Sequence, residues 1–352
     1  MRRLIRGLLM VGSIGLALHV VLPQVPGIER SLRLVAGSSH LLVGAAFLAE
    51  LASELCYAEL LGRSVAATNA RRPGRWFMLR LTVIGYGTAH VLPGGGAAAA
   101  SVTYDVLRGR GYEPAKVGVA LAVVSVLVYG ALGVLFSGSL TYVILDRDLG
   151  PAGTAVSILL LAAIVGMALG AYTVHRRPTL ARRAVQRGWR IAGRLLGGRL
   201  PPGARAWLLR FVSRLGEELR VTRRQLTVHP TGASKLAALA LGYWAFDALC
   251  LILMFTALGV VADPLVLLVA YGAATTLATI PLTPGGIGVF EATMLATLAL
   301  LGVGSEAAIA ILGYRLFNFW LPIPLAAVLY LSLRLARRAR GSGGGRTATG
   351  DP

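Results

Sequence analysis

The chain has 352 residues, of which 56% are hydrophobic and only 14% charged, and a formal net charge of +20. Soluble domains carry about a quarter charged residues, so this composition excludes a soluble globular protein and indicates an integral membrane one. The positive charge sits in loops beside apolar segments, which is the cytoplasmic bias of membrane proteins rather than the footprint of a nucleic-acid binder.

Apolar runs of about 20 residues, enough to cross a hydrocarbon core of about 30 Å, recur along the chain. The first covers residues 4–22, behind Arg2, Arg3 and Arg6, which place the N-terminus in the cytoplasm. It resembles a signal peptide but has no small-x-small cleavage pattern, and reads as an uncleaved span. The second covers 34–62 and returns to a basic loop at 63–75. An apolar segment from Trp76 to Leu92 then breaks at Pro93-Gly94-Gly95-Gly96, residues that cannot continue a helix cheaply. The following arm, Ala97 to Leu107, is too short to span and leads to a second basic stretch at 108–116. With both ends cytoplasmic, this pair is expected to be a re-entrant hairpin.

Lys116 to Phe136 crosses outward to a loop at 137–153 with no net positive charge, and Thr154 to Val174 returns. Residues 175–235 hold fourteen Arg and one Lys against Glu217 and Glu218 alone, so they are cytoplasmic. Within them Trp207, Leu208, Phe211, Val212, Leu215 and Leu219 recur at helical spacing, as in a basic amphipathic helix on the inner leaflet. Leu236 to Val260 crosses outward. Leu265 to Ile280 re-enters and breaks at 281–288, and Val289 to Leu301 returns to the outer side. The last span, 306–334, ends on Arg334, Arg337, Arg338 and Arg340, and the tail 341–352 has a disordered composition. Both termini are thus expected in the cytoplasm of a multi-pass cell-membrane protein.

A shift of 191 residues lays Pro93-Gly94-Gly95 on Pro284-Gly285-Gly286 and Gly111 on Gly302. By the charge rule the two hairpins open to opposite sides. The expected fold class is therefore an all-α polytopic membrane protein. It has about six full spans plus two Pro-Gly-broken re-entrant helical hairpins in an inverted repeat. The membrane domain covers 1–340, with repeats over about 34–136 and 236–334. Broken helices at the midplane of inverted repeats are transporter architecture, because unpaired backbone groups are tolerated only where they line a cavity.

Ionisable residues inside spans are costly and usually functional. Glu50 and Glu54 share a helix face, and Asp247 lies in the matching later span. Glu291 follows the second break by one turn, Arg80 precedes the first, and Tyr314, Arg315 and Asn318 lie in the final span. One reading is a polar cavity in which Arg80 or Arg315 and the helix N-termini after the breaks meet a phosphate. Glu50, Glu54 and Asp247 then carry protons or form ion pairs. The bland alternative is static pairing that fixes helix packing. His40 and His90 read as packing residues. Cys56 and Cys250 lie in apolar segments, which argues against a disulfide scaffold or a zinc site. No nucleophile elbow, metal-protease motif, P-loop or Cys–His set is present, so no catalysis, cofactor or metal is expected.

The stretch Pro281 to Glu291, reading P-x-x-P-G-G-x-G-x-x-E, and Tyr314-Arg315 in the last span resemble the lysylphosphatidylglycerol synthase transmembrane-region family. This family includes the flippase-like UPF0104 proteins. The Pro93 to Gly95 element fits as well, and the resemblance covers nearly the whole chain. It implies a flippase-like membrane module acting on lipids or lipid-linked sugars. The expected function is therefore binding and translocation of an anionic lipid or a polyprenyl-phosphate-linked glycan precursor, the alternative being a membrane subunit that presents lipid to a separately encoded transferase. Two departures stand out. Residues 97–100 are all Ala where many relatives carry a polar pair, and no soluble aminoacyl-transferase domain follows Arg340.

Overall fold

The computed structural model describes residues 39–69, 71–92, 95–146, 230–279, 283–304 and 306–343, with isolated positions between 158 and 187. The expected span at 4–22, that at 154–174 apart from Ile158 and Ala162, the amphipathic segment at 207–219, Pro93, Gly94 and the tail from 344 lie outside the described residues. Every regular element among the described residues is helical.

Helix α1 is His40–Asn69 and runs past the expected end at residue 62. No proline interrupts 63–69, and Arg63 Nε donates to Glu59 Oε1 at 2.7 Å one turn back. Helix α2, Arg75–Val91, starts after Pro73-Gly74. Helix α3, Gly96–Arg108, is preceded by Gly95 at φ 48°, a left-handed turn that a Cβ would strain.

Helix α4, Pro114–Asp146, is 33 residues long and takes in ten residues expected in an outer loop, 137–146. Its small polar residues do not end it. Ser137, Ser139 and Thr141 each donate to the carbonyl four residues back, so their hydroxyls are satisfied inside the helix.

Helix α5 is Pro230–Ala257. Helix α6, Pro264–Ala278, is capped by Asp263, whose Oδ1 accepts from Leu265 N at 2.8 Å. A 3₁₀ turn, Pro284–Gly286, leads to α7, Val289–Leu300. The expected last span is α8, Ala307–Arg315, then a π turn, Leu316–Trp320, then α9, Pro322–Gly343. Pro322 has no N–H for the carbonyl of Asn318, and the π turn absorbs this, with Leu321 N bonding Leu316 O at 3.0 Å.

Four described helical stretches are long and apolar enough to cross a membrane: His40–Asn69, Pro114–Leu145, Gly232–Ala257 and Ala307–Ser332. At the centre, α1 packs along α5. Around this pair three sets of contacts are reciprocal, although α5 also packs on α4 without an equal contact of α1 with α8. Helix α2 packs on α9 while α6 packs on α4, α3 lies on α2 while α7 lies on α6, and α1 meets α4 while α5 meets α8.

Glycines sit at both cross-contacts. A Cβ on Gly87 would fall 2.3 Å from Ala326 Cβ, and one on Gly272 would fall 2.4 Å from the Phe136 ring. The turn at Pro284–Gly286 reaches the end of α2, because a Cβ on Gly285 would fall 2.7 Å from the His90 carbonyl oxygen.

Candidate functional site

Two polar clusters lie in the apolar interior, joined through α8 and the π turn. The first is built around Asp247 of α5, which is 4% exposed. Tyr314 OH donates to its Oδ1 at 2.8 Å and Asn318 Nδ2 donates to the same oxygen at 2.9 Å. Tyr271 OH, from α6, donates to Oδ2. Three donors around one carboxylate satisfy most of its lone pairs, which is what a buried charge requires.

Asn318 also points Nδ2 at Tyr86 OH (2.7 Å) and at Glu50 Oε1 (3.3 Å). Its two amide hydrogens cannot fully serve three acceptors, and Glu50 is the most distant. On α1 the residues Glu50, Ser53 and Glu54 share one buried face. Ser53 Oγ donates to the Tyr243 carbonyl at 2.7 Å, which ties α1 to α5. Glu54 has no partner for either oxygen among the described residues.

The second cluster forms where the Pro-Gly turn opens into α7. Glu291, in the first turn of α7, accepts from Gly288 N through Oε2 at 2.7 Å and from Arg315 Nε through Oε1 at 2.6 Å. Gly288, at φ 80°, begins α7 in a conformation that leaves its N–H facing back toward Glu291. The Arg315 guanidinium carbon lies 4.8 Å from the centre of the Phe290 ring and 4.2 Å from that of Phe319. These two aromatic faces help hold a cation that is only 4% exposed.

His90, at the end of α2, meets Phe319 edge-on at 4.5 Å, and its Nδ1 donates to the Tyr86 carbonyl at 2.8 Å. The Arg315 Nη2 has no partner among the described residues. A guanidinium and a backbone N–H at a helix start, both turned to one point, form a receptor for an oxyanion. The Glu291 carboxylate fills it here.

The structure thus joins Glu50, Asp247, Tyr314 and Asn318 in one network and Glu291 with Arg315 in the other. Adjacent Tyr314 and Arg315 link the two. Pro284 and Gly286 are buried in the turn, with Gly286 at φ 70°, and Gly285 touches α2. Arg80 is placed apart, exposed on α2 and in none of these bonds. Gly95 caps α3, and its neighbours Pro93 and Gly94 lie outside the described residues.

Tyr86, Tyr271, Phe290 and Phe319 were not singled out by sequence reasoning. The available signal was modest: Tyr86 and Tyr271 each stand beside glycine in an apolar run, where a phenol needs a buried partner. Elsewhere, an open cleft of about 430 Å³ between the end of α1 and the start of α2 is lined by Glu59, Arg72, Arg75 and Trp76. It is separate from both clusters.

The model of the lysylphosphatidylglycerol synthase TM region matches residues 7–326, a range that contains both clusters. The chain belongs to this family. A UPF0104 membrane protein of Methanothermobacter thermautotrophicus is 24% identical over 159 residues, which is 44% of this chain and 44% of that relative. The chain thus spans less than half the length of that relative. Family membership and the apolar helices together make the chain a multi-pass membrane protein, and the family is consistent with a lipid-related role.

Proposed function

We propose that this chain is a flippase-like membrane protein that binds an anionic lipid, or a polyprenyl-phosphate-linked glycan precursor, and translocates it. The observation that carries this reading is the oxyanion receptor of Arg315 and Gly288 N–H, filled from within by Glu291. A lipid phosphate displaces the Glu291 carboxylate and takes the same two donors, while its acyl chains stay in the bilayer. Moving a charged headgroup unaided through hydrocarbon is slow because the charge must shed its water. An internal receptor replaces part of that hydration. In this reading the chain performs no catalysis, and Arg80, outside the receptor, has no part in binding.

Two observations support an inverted repeat behind the mechanism. The reciprocal helix contacts have the form expected of two like halves. The left-handed glycines Gly95 and Gly286, and Gly111 and Gly302, recur at the 191-residue shift, with the latter pair at φ 83° and 81°. On this reading the two broken hairpins enter from opposite sides and meet where Gly285 touches His90. Both termini face the cytoplasm, and the chain sits in the cell membrane.

The test uses purified protein in liposomes with a fluorescent anionic phospholipid, its outer-leaflet copies bleached by dithionite. Protein-containing vesicles should lose fluorescence beyond the outer-leaflet share, and more so for anionic than for zwitterionic lipid. Bleaching that stops at the protein-free level for anionic phospholipids and for a polyprenyl phosphate alike rejects translocation.

The family description, a synthase TM region, favours a second reading in which the chain presents lipid to a separately encoded transferase. In that case a transferase co-purifies, and neutralising Arg205, Arg210 and Arg214 releases it.

A further inference from the structure

Three carboxyl groups lie at the contact of α1 with α5, and the phosphate receptor uses none of them. Their surroundings differ. Asp247 has three donors from Tyr271, Tyr314 and Asn318. Glu54 is 7% exposed, and neither of its oxygens has a partner among the described residues. Glu50 is 5% exposed; among the described residues its Oε2 has no partner, its Oε1 takes a third share of the Asn318 amide, and its carboxyl also lies within hydrogen-bonding reach of Asp247 and of the Cys250 thiol.

Among the described residues, the groups that face this pair come from α1, α5, α2, α8, the π turn and α4. Tyr57 lies on α1 itself; Asp247, Tyr243 and Cys250 face it from α5. Tyr86 faces it from α2, and Tyr314 and Asn318 from α8 and the π turn. From α4, Tyr129 lies beside Tyr57. None of these is a cation. The nearby guanidinium, Arg315, is engaged by Glu291, and His90 gives its Nδ1–H to the Tyr86 carbonyl. Among the described residues, a second and third ionised carboxylate in this place would find too few donors and no free counter-charge, and would repel Asp247. Three carboxyls with donors enough for one therefore hold their remaining charge as protons.

We propose that Glu54, with Glu50 beside it, is a proton-binding site that couples lipid movement to a proton gradient. Asp247 supplies the fixed negative charge, and the Glu50–Glu54 pair holds one exchangeable proton, taken from water on one side and released on the other. Release leaves a second negative charge beside Asp247 between α1 and α5, the two helices that join the halves, and favours their separation. Return of the proton lets them close. This proposal rests on the translocation reading, which leaves Glu50 and Glu54 without a role.

Infrared difference spectroscopy on the protein in lipid, paired with the dithionite assay under an imposed pH gradient, tests it. Glu54→Gln keeps the shape of a protonated carboxyl and Asp247→Asn is the control. The wild type should show the carbonyl stretch of protonated carboxylic acids, shifted in D₂O, with one component lost in Glu54→Gln, the rest lost when Glu50→Gln is added, and the whole band kept in Asp247→Asn. Its transport rate should change several-fold when the gradient is reversed, and that of Glu54→Gln should not. A band that Glu54→Gln leaves unaltered overturns the proton site while translocation stands. A Glu54→Gln variant that still answers to the gradient, or a wild type that ignores it, overturns the coupling. A band component lost in Glu54→Gln together with a wild type that moves no lipid overturns coupling and translocation and leaves only the proton.

Discussion

Glu291 and Arg315 form a buried ion pair whose two members do not depend on each other equally, and this asymmetry is measurable. Arg315 is 5% exposed in its side chain and Glu291 is 17% exposed, and they meet at 2.6 Å. Glu291→Gln removes the only carboxylate on the guanidinium among the described residues and puts a donor NH₂ at one of the two oxygen positions that separately accept from Arg315 and Gly288. Breaking a buried pair this way costs about 3–5 kcal/mol. The two ring faces and the partial exposure put the expected loss at the low end, about 3 kcal/mol. Arg315→Met keeps the bulk of the side chain and leaves Glu291 with its Gly288 N–H and some water, for a loss of about 1–2 kcal/mol. The double variant has no stranded charge and should lose about 2 kcal/mol, which gives a coupling of about 2–3 kcal/mol. Unfolding in bicelles by steric trapping reads these differences. Additivity within about 0.5 kcal/mol, or Arg315→Met being the worse single change, would refute the reasoning.

Asp247→Asn turns one acceptor oxygen into a donor facing donors, and should cost about 1–3 kcal/mol in the same assay, with no loss contradicting the three-donor network. Gly87→Ala must force α2 and α9 apart and should cost about 1–3 kcal/mol. Gly44→Ala, where an added Cβ meets nothing within 4 Å, should be neutral or stabilising; equal effects in the two variants would mean that the close contact is absent. Arg80→Gln should leave stability within about 0.5 kcal/mol and the lipid bleaching rate unchanged, whereas a slowed rate would restore Arg80 to the substrate path.

Much of the fold could be read in advance because membrane spans and breaks have strong local signals. The apolar runs at α1, α4, α5 and α8 to α9, and the Pro-Gly breaks before α3 and α7, appear directly in residue type. The 191-residue shift was visible because glycines at left-handed turns leave few substitutes, as Gly95 and Gly286 show. The length of α4 was not legible. The lack of net positive charge at 137–153 read as an outer loop, and only the structure shows the Ser and Thr hydroxyls of 137–141 bonding back into the helix. The π turn was missed because Pro322 could equally have ended a helix or kinked it.

At the site, charges in apolar runs pointed correctly to buried positions for Glu50, Glu54, Asp247 and Arg315. Their partners were not evident, since the Glu291–Arg315 pair and the Asp247–Tyr271 pair are each 24 residues apart in sequence. Arg80 carried the same signal as Arg315, and only the helix face separates them, with Arg80 exposed and Arg315 buried.

The central claim is that two like halves of opposite orientation meet at one polar seam. Ala115 and Glu306 occupy matched positions, 191 residues apart, each exposed at the start of the helix that follows its hairpin. Single cysteines at these two sites, in a background with Cys56 and Cys250 replaced by alanine, can be reacted in sided membrane vesicles with an impermeant maleimide. The account predicts that Ala115→Cys labels only from the cytoplasmic side and Glu306→Cys only from the opposite side. Labelling of both from the same side would contradict it.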